Sequence, residues 1–277
     1  MIFPDAELQQ TVTISNMIVL VAYLFTGVIA GITAGLLGLG GGAIIVPILY
    51  SIFVMLDLAP GSTMQLAVGT SLATIVFTAM SSSLTHYRLG NVQVKTVLYL
   101  VPGIIIGALL GAAVADYLPT DTLRRIFGIF EILIAMQIGF GFKPSAHSTL
   151  PAPVGLAASG GIIGTISSIM GIGGGSLTVP FLLWCNVSMR KAVGTSAAVG
   201  LPIAIAGVIG FIVAGLDNTG LPEWSLGYVF LPAALCIIAT SIFFAPIGAK
   251  LAHRLPILTL RRIFAVFLAL VGLKMVF

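Results

Sequence analysis

The chain has 277 residues, 58% of them hydrophobic, with only 12 Lys and Arg and 8 Asp and Glu, a net charge of +4. An ordinary water-facing surface carries about a quarter charged residues, so a soluble domain is excluded and the composition is that of an integral membrane protein. Long apolar runs punctuated by Gly and Pro favour helices over a barrel, whose strands would alternate apolar and polar residues over about ten positions.

In chain order, apolar segments fall at residues 14–35, 41–57, 64–86, 96–115, 123–142, 154–170, 174–187, 191–214, 226–249 and 259–276. At about 20 residues per span these are ten helical segments joined by short loops. The amino-terminal MIFPDAELQQ lacks a basic region and carries Asp5 and Glu7, so the first segment is expected to be a mature span rather than a cleaved signal. Segments 41–57 and 174–187 are short, and either tilt across the membrane or enter and leave on one side. The stretch KPSAHSTLPAP, residues 143–153, reads as a linker between residues 1–142 and 154–277.

These two parts repeat one another. GLGGGAIIVPIL from Gly38 recurs as GIGGGSLTVPFL from Gly171, AVGTS from Ala67 recurs from Ala192, and LRRIF from Leu123 recurs from Leu260. Two copies of five helices each follow, and an odd number of crossings turns the second copy upside down relative to the first. Charge agrees. With both termini extracytoplasmic, the inner loops hold Arg88, Lys95, Lys143, Arg190, Lys191, Lys250, Arg254, Arg261 and Arg262, against Arg124, Arg125 and Lys274 outside. The fold class expected is therefore an all-α polytopic membrane protein of two inverted five-helix repeats, interrupted at Gly-rich breaks.

The breaks are the first candidate site. Gly38, Gly40, Gly41 and Gly42 in one half match Gly171, Gly173, Gly174 and Gly175 in the other, with Pro47 and Pro180 following. Three consecutive glycines cost about 2–3 kcal/mol of helix propensity relative to alanine, so the helix is expected to end there. The helix that restarts presents unpaired amides and the positive end of its dipole, which suits an anion. Two such termini related by an inverted two-fold would converge on one site. The competing reading is that the glycines only permit tight packing. Thr70 and Ser71, matched by Thr195 and Ser196, could donate to an oxyanion, or could bond a carbonyl of their own or a neighbouring helix.

Glu131 is the acid placed inside a span, a candidate for proton coupling, with local pairing to Arg124 as the alternative. His86 and Arg88 end the third segment and could meet an anion at the inner mouth, or anchor to headgroups. Gly27, Gly31, Gly35 and Gly103, Gly107, Gly111 have the four-residue spacing of close helix contacts. No enzyme constellation emerges: His86, His147 and His253 are scattered, Cys185 and Cys236 lack metal or disulfide spacing, and GLGGGA lacks the strand–helix setting of a dinucleotide fold. No cofactor and no nucleic-acid partner are expected.

The paired GLGGG and GIGGG segments, each leading to a VP dipeptide, the two AVGTS elements and HYRLGNV near Arg88 together resemble the TauE/SafE family, also called the sulfite exporter or TSUP family. The resemblance runs from about Val28 to Phe277. It implies a secondary permease of the bacterial or archaeal cytoplasmic membrane for a small sulfur-containing anion, sulfite or an organosulfonate such as sulfoacetate, isethionate or taurine. The residues themselves reach only an oxyanion. A passive anion channel and a non-transporting membrane interaction protein are the other classes the pattern allows.

Overall fold

The computed structural model describes residues 5–37, 41–139, 149–251 and 257–277, with side chains at 17–36, 41–139, 149–251 and 264–277. Gly38, Gly40, His147 and His253 lie outside the described residues. The described residues form ten helices: α1 (Asp5–Leu37), α2 (Gly42–Met55), α3 (Thr63–Arg88), α4 (Val94–Tyr117), α5 (Thr120–Gly139), α6 (Pro153–Met170), α7 (Gly175–Trp184), α8 (Met189–Gly215), α9 (Leu231–Leu251) and α10 (Ile257–Val276). α1, α3, α4, α6, α8 and α9 contain stretches long and apolar enough to cross a membrane. The chain is an all-α polytopic membrane protein.

Neither of the two short helices spans the membrane by itself. At 14 and 10 residues, α2 and α7 are about 21 and 15 Å long, against a hydrocarbon core of about 30 Å. Residue Gly41, just before α2, lies against Ala30, in the interior of α1, so α2 starts well back from the end of α1. The expected segment 226–249 begins instead with a small antiparallel hairpin, β1 (Ser225–Leu226) and β2 (Val229–Phe230), before α9. Trp224 and Gly227 there have φ of 65° and 51°, a left-handed conformation no helix continues through.

The seams that hold the bundle run between the halves rather than within them. Gly27, Gly31 and Gly35 of α1 face Ile237, Ser241 and Ala245 of α9, and Gly103, Gly107 and Gly111 of α4 face Ala157, Gly161 and Thr165 of α6. A Cβ on Gly31 would fall 2.7 Å from the Ser241 carbonyl oxygen, so only glycine allows these backbones to touch. α5 and α10 cross where Gly128 meets Gly272. α3 and α8 form the centre, with Phe211 and Leu72 among their fully buried side chains.

The two copies are inverted. α3 ends beside the start of α8, where Asn91 meets Gly194, and α8 leads to the hairpin whose Tyr228 meets Gly69 near the start of α3. One end of the molecule therefore carries Arg88, Lys95, Arg190, Lys191 and Lys250, and the other carries Asp57, Asp116, Asp121, Asp217 and Glu223.

Candidate functional site

Both glycine breaks end in the same backbone geometry. Gly41 before α2 has φ 78° and ψ −13°, and Gly174 before α7 has φ 74° and ψ −13°. Such angles are open to glycine and strained for other residues, which explains the residue type at these two positions. Neither helix has a side-chain cap. The first intrahelical bonds run from the amides of Ile44 and Ile45 to Gly41, and from Leu177 and Thr178 to Gly174. The amides of Gly42, Ala43, Gly175 and Ser176 thus have no carbonyl of their own helix to reach, and they sit at the positive ends of the two dipoles.

The breaks meet in the interior. Gly42 is in direct contact with the Gly171 carbonyl, whose oxygen also accepts a 2.9 Å bond from the Ser71 hydroxyl of α3. Gly173 brings its carbonyl against Gly200 of α8, and Gly174 faces Ile203. Gly171 thus lies against α3 and Gly173 and Gly174 against α8, with Gly42 packed on Gly171 and Gly41 on Ala30 of α1.

The expected hydroxyls divide. Thr70 accepts a 2.9 Å bond from the amide of Phe230, and Thr195 a 3.0 Å bond from the amide of Gln93. Phe230 immediately precedes α9 and Gln93 immediately precedes α4, so the same threonine clamps the same connection in each half. Ser196 donates to Val193 within α8, at 2.8 Å. Two further hydroxyls escaped the sequence reading: Ser176 and Thr178, in the first turn of α7, are 5% and 0% exposed and find no partner among the described residues. Their signal is the difference between GSLTVP and GAIIVP, hidden when only the identities between the repeats are weighed.

Glu131 is wholly buried on α5, with both carboxylate oxygens unpartnered among the described residues. Arg124 does not pair with it; the arginine lies 3.7 Å from Asp121 instead. Its counterpart on α10, Leu268, is equally buried. His86 turns inward, its Nε2 3.2 Å from the Gly35 carbonyl, whereas Arg88 is exposed.

The acidic end carries a polar mouth. A cavity of about 430 Å³ there is lined by Ser62, Gln65, Asp116, Asn218 and Tyr228 among others. The Tyr228 hydroxyl donates to Asp116 at 2.8 Å, and Asn218 donates to Ser62 at 3.0 Å, tying the hairpin to the ends of α3 and α4. Burial raises the Tyr228 pKa above the usual phenol value, which keeps the hydroxyl a donor to Asp116.

A model of the family described as sulfite exporter TauE/SafE matches residues 23–275, from the interior of α1 to the end of α10. The chain belongs to the TauE/SafE family. It is 38% identical over 253 residues to a probable membrane transporter protein of Haemophilus influenzae, covering 91% of this chain and 96% of that one. It is 30% identical to YdhB of Bacillus subtilis, covering 94% and 100%, and 28% identical to a probable membrane transporter protein of Methanocaldococcus jannaschii, covering 94% and 96%. No solved structure matches. This TauE/SafE chain is a multi-pass membrane transporter and not an enzyme.

Proposed function

We propose that this transporter is a secondary permease for a small sulfur-containing oxyanion, sulfite or an organosulfonate, which binds at the junction of the two glycine breaks. The observation that carries the reading is the contact of the two glycine breaks deep in the bundle: the uncapped start of α2 at Gly42 lies against the Gly171 turn, which ends α6 and leads to the uncapped start of α7 with its unpartnered Ser176 and Thr178 hydroxyls. Backbone amides, hydroxyls and dipole ends bind an oxyanion without a fixed counter-charge that would hold it too tightly to release. Sulfur itself comes from the family description, since these groups serve any small oxyanion.

Turnover is alternating access. The two five-helix parts, residues 1–142 and 154–277, are joined by the α1–α9 and α4–α6 seams, so the moving bodies are these cross-half pairs turning about the α3–α8 centre. Glu131 takes up and releases the coupling proton, because an unpaired buried carboxylate carries a desolvation cost that a bound proton removes. The basic end faces the cytoplasm by the excess of Lys and Arg in its loops, placing both termini outside.

A thermal-shift panel of sulfite, taurine, isethionate, sulfate, phosphate and short carboxylates on purified protein, at two pH values, tests this. Stabilisation by the sulfur oxyanions, lost in Gly174→Leu while the variant stays folded, is the expected result. Stabilisation that survives in Gly174→Leu moves the site elsewhere, and none in the wild type removes the reading.

A further inference from the structure

One face of α3 is polar along its whole buried length. Ser71, Thr74, Thr78, Ser82 and His86 follow at steps of three, four, four and four residues, which places them on a single helix face. All five are between 0% and 2% exposed. The stripe starts at the glycine junction, where Ser71 holds the Gly171 carbonyl, and ends at the basic end, where His86 meets the Gly35 carbonyl of α1. On the way the Thr78 hydroxyl lies 2.8 Å from that of Ser241 on α9, Ser81 beside the stripe donates to the Ile242 carbonyl at 3.0 Å, and Ser82 has no partner among the described residues.

The inverted copy shows that the fold does not need this polarity. The matching face of α8 runs from the junction toward the acidic end and reads Ser196, Val199, Ile203, Gly207 and Phe211. The place of Ser241 on α9 is taken by Ile104 on α4, and Ile104, Ile203 and Val199 pack into one apolar cluster with Leu100, Leu156 and Ile163. The same backbone frame is thus filled once with branched hydrocarbon and once with hydroxyls. Hydrocarbon is the cheaper filling: a buried hydroxyl has to be compensated, hydroxyl pairs between membrane helices stabilise only modestly, and Ser82 is not compensated at all. The described side chains of α1, α3 and α9 include no Asp or Glu, so none of these three helices sets a carboxylate beside the stripe.

We infer that the α3 stripe, Ser71, Thr74, Thr78, Ser82 and His86 with Ser241 opposite, lines the half of the transport path between the glycine junction and the basic end, as a hydrophilic track for the anion. The apolar cluster of Val199, Ile203 and Ile104 closes the other half. Opening toward the basic end parts hydroxyl contacts that water and the anion replace one for one. Opening toward the acidic end has to part a sealed hydrocarbon contact. The inference rests on reading the chain as an anion permease through the junction, and its test is chosen to fail separately.

In a background with Cys185 and Cys236 replaced by Ala, single cysteines at Thr78, Ser82, Val199 and Ile203 are reconstituted in vesicles and exposed to a negatively charged, membrane-impermeant maleimide from each side. Thr78→Cys and Ser82→Cys should react from the basic-end compartment at least tenfold faster than Val199→Cys and Ile203→Cys react from either side. Isethionate, which does not consume the reagent, should slow them. Equal reactivity of the four positions, or labelling of the stripe from the acidic side alone, overturns the inference. The near-isosteric double variant Thr78→Val with Ser241→Ala gives a second measurement: flux at least tenfold below wild type with the ligand-induced thermal shift retained. Wild-type flux in that variant overturns the track. Loss of ligand stabilisation in the unmodified protein instead overturns the junction as the binding site, and leaves the labelling pattern to stand or fall alone.

Discussion

The two glycine breaks share their backbone to within a few degrees and differ in what they offer a ligand. Gly41 and Gly174 have the same left-handed angles, Pro47 and Pro180 follow at the same distance, and Thr70 and Thr195 clamp equivalent connections. Yet α2 begins GAII and α7 begins GSLT, so the buried unpartnered hydroxyls stand on one side only. The frame is symmetric because both halves fold around the same kind of break. On the proposed reading recognition is asymmetric, since a single anion would occupy a place that two copies surround.

The frame breaks most severely at the contact between the breaks. In Gly42→Ala the new Cβ meets the Gly171 carbonyl, a backbone group that cannot step aside, whereas in Gly174→Ala it meets the end of the flexible Ile203 side chain. Gly42→Ala is expected to lose about 3 kcal/mol. Gly174→Ala should lose about 1–2 kcal/mol, mainly from the left-handed backbone. Equal losses in thermal unfolding of the purified variants would show that backbone angle, and not contact between the halves, sets the cost.

The asymmetric part is sharpened by exchange. The double variant Ser176→Ala with Thr178→Val should weaken oxyanion binding by about 1.5–3 kcal/mol, the range for hydrogen bonds to a charged group. Its apo stability should hold or rise, because two uncompensated buried hydroxyls are removed. The reverse changes on α2, Ala43→Ser with Ile45→Thr, should not improve affinity. A matching gain there would make the two helix starts equivalent, against the comparison. Next in size come the clamps: Thr70→Val and Thr195→Val should each lose about 1 kcal/mol, and by similar amounts, since each surrenders one hydrogen bond to a backbone amide. Unequal losses would mean that one threonine serves the ligand as well as the frame.

Much of this frame was legible in the sequence, and the reasons are local. Ten apolar runs gave ten helices, the two shortest gave helices too short to span alone, and the four-residue glycine spacing in α1 and α4 gave the close seams, because span length and helix periodicity are properties of a run of residues. What lay beyond the sequence was the destination of polar groups. Thr70 reaches Phe230 and Ser71 reaches Gly171, partners 160 and 100 residues away that no local spacing announces. Leu226 to Phe230 read as the start of a span because the five residues are mostly apolar, although left-handed angles at Trp224 and Gly227 turn them into a hairpin. Ser176 and Thr178 were visible only as differences, and a repeat search rewards identities.

The smallest change in stability is expected at the most conspicuous polar residue. Glu131 and its counterpart Leu268 are both wholly buried, one on each side of the α5–α10 crossing, so the fold accepts hydrocarbon at this position in at least one copy. Glu131→Gln keeps the shape and removes the titrating group without withdrawing a partner from any described side chain, so its stability should stay within about 0.5 kcal/mol of wild type. Flux should respond instead. A carboxyl that gains and loses a proton in each cycle ties the rate to pH, whereas the amide does not titrate, so counterflow exchange is expected to depend on pH in the wild type and not in the variant. Retention of the wild-type pH profile by Glu131→Gln would place proton uptake elsewhere and leave the acid–leucine difference between α5 and α10 without a part in transport.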